Sequence, residues 1–193
     1  MTVSRERFAQ GMTYDEYKAQ MTRNRETVEA NERAAEIADE DRKVFSRRLS
    51  ALVLAEDWCG DVIANLPVLG RLAKETGNLE IRVFLRDQNL DLVEQYLKDG
   101  KFQSIPVFVF FDEAWRELGH WIERPDTVTA KRREERIKVF ASDARFGSPD
   151  APVDQLSADV RAELQARLVK MRADTAAWAN KEVLRELREV VSR

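Results

Sequence analysis

Ser50-Ala51-Leu52-Val53-Leu54-Ala55-Glu56-Asp57-Trp58-Cys59-Gly60-Asp61-Val62 passes from an apolar strand-like run into the start of a helix-like one, with the one cysteine of the 193-residue chain at the junction. A strand ending near Ala55 delivers Cys59 to the carboxyl edge of a sheet. The following helix then points its unpaired backbone N–H groups at the sulfur, which favours the thiolate. Two further features give the cysteine a context. Pro67 follows eight positions later inside the predicted helix, and Ile105-Pro106 opens a second apolar strand, Val107-Phe108-Val109-Phe110-Phe111.

This combination resembles thioredoxin over roughly residues 45–142, and is most similar to the bacterial thioredoxin-like proteins that read Trp-Cys-Gly-Asp and carry a helical segment before the core. The resemblance implies a thioredoxin-like α/β fold: a central mixed sheet flanked by helices. It also implies that Cys59 is the attacking cysteine, Pro106 the cis-proline lying against it, and Pro67 the kink of the first core helix. The departures matter equally. Val62 stands where thioredoxin has its resolving cysteine, and Val53 where it has a buried acid six residues before the nucleophile.

Length and composition fit one core with extensions. Hydrophobic residues make up 44% and charged residues 35% of the chain, the balance of a folded protein with long polar helix faces. The longest apolar run, residues 105–111, falls far short of the roughly 20 residues that cross a bilayer. No membrane partner is expected. The first six residues lack the apolar stretch of a signal peptide, and one cysteine forms no internal disulfide, so a reducing cytoplasm is the expected location. Residues 51–126 hold eight basic against fourteen acidic side chains, a net of −6, which argues against a nucleic-acid ligand. The basic cluster Lys131-Arg132-Arg133 is followed by Glu134-Glu135 at helical spacing and reads as a solvated helix face.

Along the chain, residues 1–49 read as an N-terminal helical extension packed on the core. Thr13 and Glu16 form a capping box, and residues 30–49 carry apolar positions at three-four spacing. The thioredoxin-like domain spans 50–142, with strands near 50–56, 80–86, 105–111 and 115–122, and helices near 60–75, 90–98 and 126–142. Residues 143–156, rich in Gly, Ser and Pro, read as a linker. Residues 157–193 form a C-terminal helix whose stripe of Val160, Leu164, Leu168, Met171, Thr175, Trp178 and Leu187 packs on the same domain, on a second copy in a homodimer or on a partner protein.

The candidate catalytic set is Cys59 with Trp58, Gly60 and Asp61. The Asp61 carboxylate opposes the thiolate by about as much as the helix terminus favours it, roughly 1 kcal/mol each. The candidate substrate-binding set is Ile105, Pro106 and Arg124. A cis Ile105–Pro106 bond would turn the Ile105 backbone toward an extended peptide, and a guanidinium at Arg124 could stabilise a thiolate or grip a carboxylate. His120, the one histidine, reads as a strand-surface residue. No metal-ligand cluster or phosphate loop is present in the pattern, and no cofactor is expected. The expected function is thiol–disulfide exchange through one nucleophilic cysteine: it attacks protein or glutathione disulfides, and an external thiol reductant resolves the mixed disulfide. The alternative is a redox-inactive module that holds an extended peptide or a partner protein in the same groove.

Overall fold

A computed structural model describes residues 3–193. The extension holds α1 (Arg5–Phe8), β1 (Met12–Thr13), α2 (Tyr14–Gln20), α3 (Arg25–Ala34) and α4 (Asp39–Val44). Then come β2 (Leu49–Ala55), α5 (Gly60–Thr76), β3 (Leu79–Leu85), α6 (Leu90–Val93), β4 (Val107–Asp112), β5 (Glu117–Ile122), α7 (Asp126–Ala141) and α8 (Ala158–Val191).

The sheet order is β1-β3-β2-β4-β5, with β2 and β3 parallel and the other neighbouring pairs antiparallel. The parallel pair is the β2–α5–β3 crossover expected from the sequence. Strands β2 and β4 lie inside the sheet and read as near-continuous apolar runs because both faces are covered. Val53 pairs with Val83 on one side and Phe108 on the other, and all three are fully buried. The position six residues before Cys59 is therefore wholly apolar. β5, at the edge, is exposed or half-buried except at Trp121.

The capping box of α2 is present: Thr13 Oγ1 accepts from the Glu16 backbone N–H at 3.2 Å, and Thr13 N–H donates to the Glu16 carboxylate at 2.7 Å. Elsewhere the periodicity overreached. The apolar spacing read over 30–49 runs from α3 into α4 across a non-helical segment in which Ala35 and Ile37 are buried. Helix formation restarts where Asp41 Oδ2 accepts the Ala38 N–H at 2.9 Å. The helix expected over 90–98 stops at Val93. Beyond it, Lys98 and Phe102 exchange two backbone hydrogen bonds of 2.9 Å around Asp99 and Gly100, both at positive φ.

The chain divides into two units. In the described residues the first is 3–124 with 183–193; it contains the sheet, and its core takes in Val183, Leu184, Leu187, Val190 and Val191 from the end of α8. That end is tied down by polar contacts within the unit. Arg188 pairs with buried Asp41, and Trp121 Nε1 donates to Glu186 at 2.8 Å. The second unit, Pro125–Glu182, has its own small core of Phe140, Phe146, Val160 and Leu164. The segment 143–156, expected as a linker, instead contains two short 3-10 turns, and its Phe146 belongs to that core. In the expected stripe, Val160, Leu164 and Leu187 are buried, whereas Trp178 remains 39% exposed.

Candidate functional site

Cys59 is the N-cap residue of α5, partly buried, at the mouth formed where β2 ends. Its Sγ lies 3.5 Å from the Ile105 carbonyl oxygen, to which the thiol donates, and the Ile105–Pro106 peptide bond is cis. Ile105 itself is buried, so it is the carbonyl of this residue that meets the thiol. Trp58 is 48% exposed, with the Arg86 guanidinium over its ring at 5.1 Å. Arg86 also donates to the Gln103 carbonyl at 3.3 Å, which ties the Trp58 side of the site to the segment that leads into Pro106. Gly60 is the exposed first residue of α5.

Asp61 and Arg124 are ion-paired, which the sequence reading did not foresee. Arg124 also pairs with Glu123 at 2.9 Å, and Glu123 with Lys98 at 2.6 Å. Burial alone would push the Arg124 pKa down. The hydrogen bond and charge of Asp61, with the charges of Glu123 and Cys59, outweigh burial and raise it. For Glu123, burial raises the pKa, while the Lys98 hydrogen bond and the Arg124 charge prevail and lower it. Its backbone is fixed as well. Glu123, at φ 69°, donates its N–H to the Pro106 carbonyl at 2.7 Å, and its own carbonyl accepts from Asn65 Nδ2 of α5 at 2.8 Å. Asp61 and Arg124 thus sit on elements locked to the same corner as Cys59 and Pro106. The expectation that Asp61 opposes the thiolate as an unneutralised charge is corrected by this pairing.

Two groups that sequence reasoning missed hold the loop before Cys59. Asp57 Oδ2 accepts from Thr22 N at 2.8 Å, Thr22 Oγ1 at 3.0 Å and Arg23 N at 3.1 Å, while Asn24 Nδ2 donates to the Asp57 carbonyl at 2.9 Å. Burial raises the Asp57 pKa, but the Thr22 and Arg23 donors lower it further, and the net direction is down. The local signal was Asn24, at φ 59°, since asparagine tolerates the left-handed region that a tight connection requires. Glu56, which is buried, accepts the Asp87 N–H at 2.9 Å. His120 lies exposed on β5 as expected, its ring edge-on to Tyr96 at 5.3 Å.

Pro67 has no N–H to give the Ile63 carbonyl one turn earlier. Asn31 Nδ2 of α3 donates to that oxygen at 2.9 Å. The extension therefore repairs the helix at the point where the proline interrupts it.

A sequence-family model described as Thioredoxin matches residues 11–136, and the chain belongs to the thioredoxin family. Among solved structures, the chain is similar to a protein of unknown function from Pseudomonas aeruginosa at 16% identity, covering 99% of this chain and 98% of that one with a TM-score of 0.65. It is also similar to an HIV epitope-scaffold, at 17% identity over 98% of each chain and a TM-score of 0.62. At these identities the likeness is one of fold. Thioredoxin from Fasciola hepatica matches at 23% identity over 47% of this chain and 83% of that one, with a TM-score of 0.34. A comparison with curated proteins finds no match. Among the described residues, no helix is long and apolar enough to cross a membrane, and no group of three or more His, Cys, Asp or Glu is placed to hold a metal.

Proposed function

We propose that the protein is a cytoplasmic thiol–disulfide exchange protein of the Trp-Cys-Gly-Asp type, working through Cys59 alone. The observation that carries this reading is the meeting of three features at one point: Cys59 at the start of α5, its sulfur 3.5 Å from the Ile105 carbonyl, and cis-Pro106 beside it. The Cys59 thiolate attacks one sulfur of a protein or glutathione disulfide. A new sulfur–sulfur bond forms, the old one breaks, and the second sulfur leaves as a thiolate. Val62, fully buried where a resolving thiol would stand, cannot expel the bound partner. A second external thiol such as glutathione therefore attacks the mixed disulfide and regenerates Cys59. Trp58, Gly60 and Asp61 shape the approach to the sulfur; Ile105, Pro106 and Arg124 border the bound chain. No cofactor, metal, nucleic acid or membrane takes part.

The test is mass spectrometry of the protein after oxidised glutathione or insulin, with turnover followed in parallel. Stoichiometric adduct at Cys59, with catalytic insulin reduction only when glutathione is supplied, supports the proposal. Sustained turnover with thioredoxin reductase as the sole electron source refutes the single-thiol route. A Cys59→Ser variant that keeps every partner and all cellular function points to the binding-module alternative.

A further inference from the structure

The register of the parallel strands brings a second turn beside the cysteine. Ala55 lies opposite Leu85, so β2 and β3 end side by side, and the residues that follow them, Glu56 to Cys59 and Arg86 to Gln88, share the carboxyl edge of the sheet. Two contacts lock these turns together. The Glu56 carboxylate accepts the Asp87 N–H at 2.9 Å, and the Arg86 guanidinium lies over the Trp58 ring at 5.1 Å. The same guanidinium reaches the far wall of the site: its Nη1 donates to the carbonyl of Gln103, just before Ile105 and cis-Pro106, at 3.3 Å. Asp87 holds its remaining side, accepting from Nε at 2.8 Å and pairing with Nη2 at 2.7 Å.

An ion pair between sequence neighbours at a surface contributes little, and it requires neither an aromatic face nor a carbonyl. What Arg86 adds is span. One planar group sets its face on the indole beside Cys59 and its edge on the segment entering cis-Pro106, and its side chain is only 21% exposed. Trp58 is half exposed, so part of its ring is open to an arriving chain. We infer that Arg86 is a positioning residue for exchange at Cys59: it fixes the spacing between Trp58 and residues 103–106, and so favours a disulfide carried on a chain that touches both walls over a small one that touches the sulfur alone. The inference deepens the reading of Cys59 as the nucleophile and rests on it. Walls already held in place spare a bound chain the cost of ordering them. A small reagent gains nothing from that.

The experiment compares two alkylating reagents on the intact protein, iodoacetamide and a short extended peptide bearing an iodoacetyl group at its centre. Wild type, Arg86→Gln and Arg86→Lys are tested, with oxidised-glutathione adduct formation measured in parallel. Both substitutions should lower the peptide-to-iodoacetamide rate ratio about threefold to fivefold, the size of a partly exposed cation–aromatic contact, and leave the pH profile of iodoacetamide unmoved. Lysine keeps the charge but loses the planar fork, so it should not rescue. In a Trp58→Ala background the Arg86 substitutions should change the ratio no further. An unmoved ratio, full rescue by lysine, or an equal loss in the Trp58→Ala background overturns the inference. A ratio that falls in a protein forming no glutathione adduct upholds the positioning role while the exchange function fails. Adduct formation with an unmoved ratio does the reverse.

Discussion

Arg124 neutralises Asp61, the carboxylate two residues beyond the candidate nucleophile. Coulomb's law then assigns opposite effects to the two partners. Removing the acid leaves a guanidinium near the sulfur, and removing the base leaves a carboxylate there. Asp61→Asn should speed iodoacetamide alkylation of Cys59 at neutral pH by about threefold to tenfold, and Arg124→Gln should slow it by a similar factor, with both effects reduced by added salt. Equal profiles for the two variants would show that the pair does not reach the sulfur.

Asn31 serves one oxygen, and its worth should depend on Pro67. Asn31→Ala leaves the Ile63 carbonyl without its donor and should cost about 1–2 kcal/mol in urea denaturation. In a Pro67→Ala background the residue-67 N–H reaches the same oxygen, so the cost should fall below about 0.5 kcal/mol. A double-mutant cycle measures the difference directly, and additive effects would remove the proposed link between α3 and the helix break.

The Asp57 clamp predicts a pH dependence. Its folded-state pKa lies below the ordinary 3.8, so the stability it contributes is present above that value and is lost as the pH falls through the folded one. Asp57→Ala should cost about 1–2 kcal/mol near neutral pH, and the gap from wild type should close progressively below about pH 4. A gap independent of pH would mean that the loss is one of packing.

The strands were legible because two of them are almost wholly apolar and one leads straight into the cysteine. Cys59, Pro67 and Pro106 were legible because each is a residue type with one strong local meaning. Asp57 was not, since its donors lie more than 30 residues away and an acid after a strand has many uses. Asn31 was silent for the same reason, although the missing N–H of Pro67 stated that some donor was required. The stripe on the last helix was visible, but a helical period says nothing of which core each turn enters: Val160 and Leu164 belong to one cluster, Leu187 and Val190 to another.

That division makes unequal demands on the stripe. Leu187→Ala, at a fully buried position in the sheet-containing unit, should cost about 2–5 kcal/mol, whereas Trp178→Ala, at a position 39% exposed, should cost less than about 1 kcal/mol. Urea denaturation of the two variants checks the order, and a larger loss at Trp178 would indicate that its face is covered in solution.

The same arrangement sets a timetable for synthesis. A ribosome that has released the sheet as far as Ile122 must still translate residues 125–182 before the wall of that core supplied by Val183, Leu184, Leu187, Val190 and Val191 exists. During that interval any strands that have already paired lack the apolar cover that those five residues supply. Such uncovered apolar surface is the kind that chaperones hold and that aggregation exploits. The core can therefore be completed only after residues 183–191 have been made, however early its strands pair.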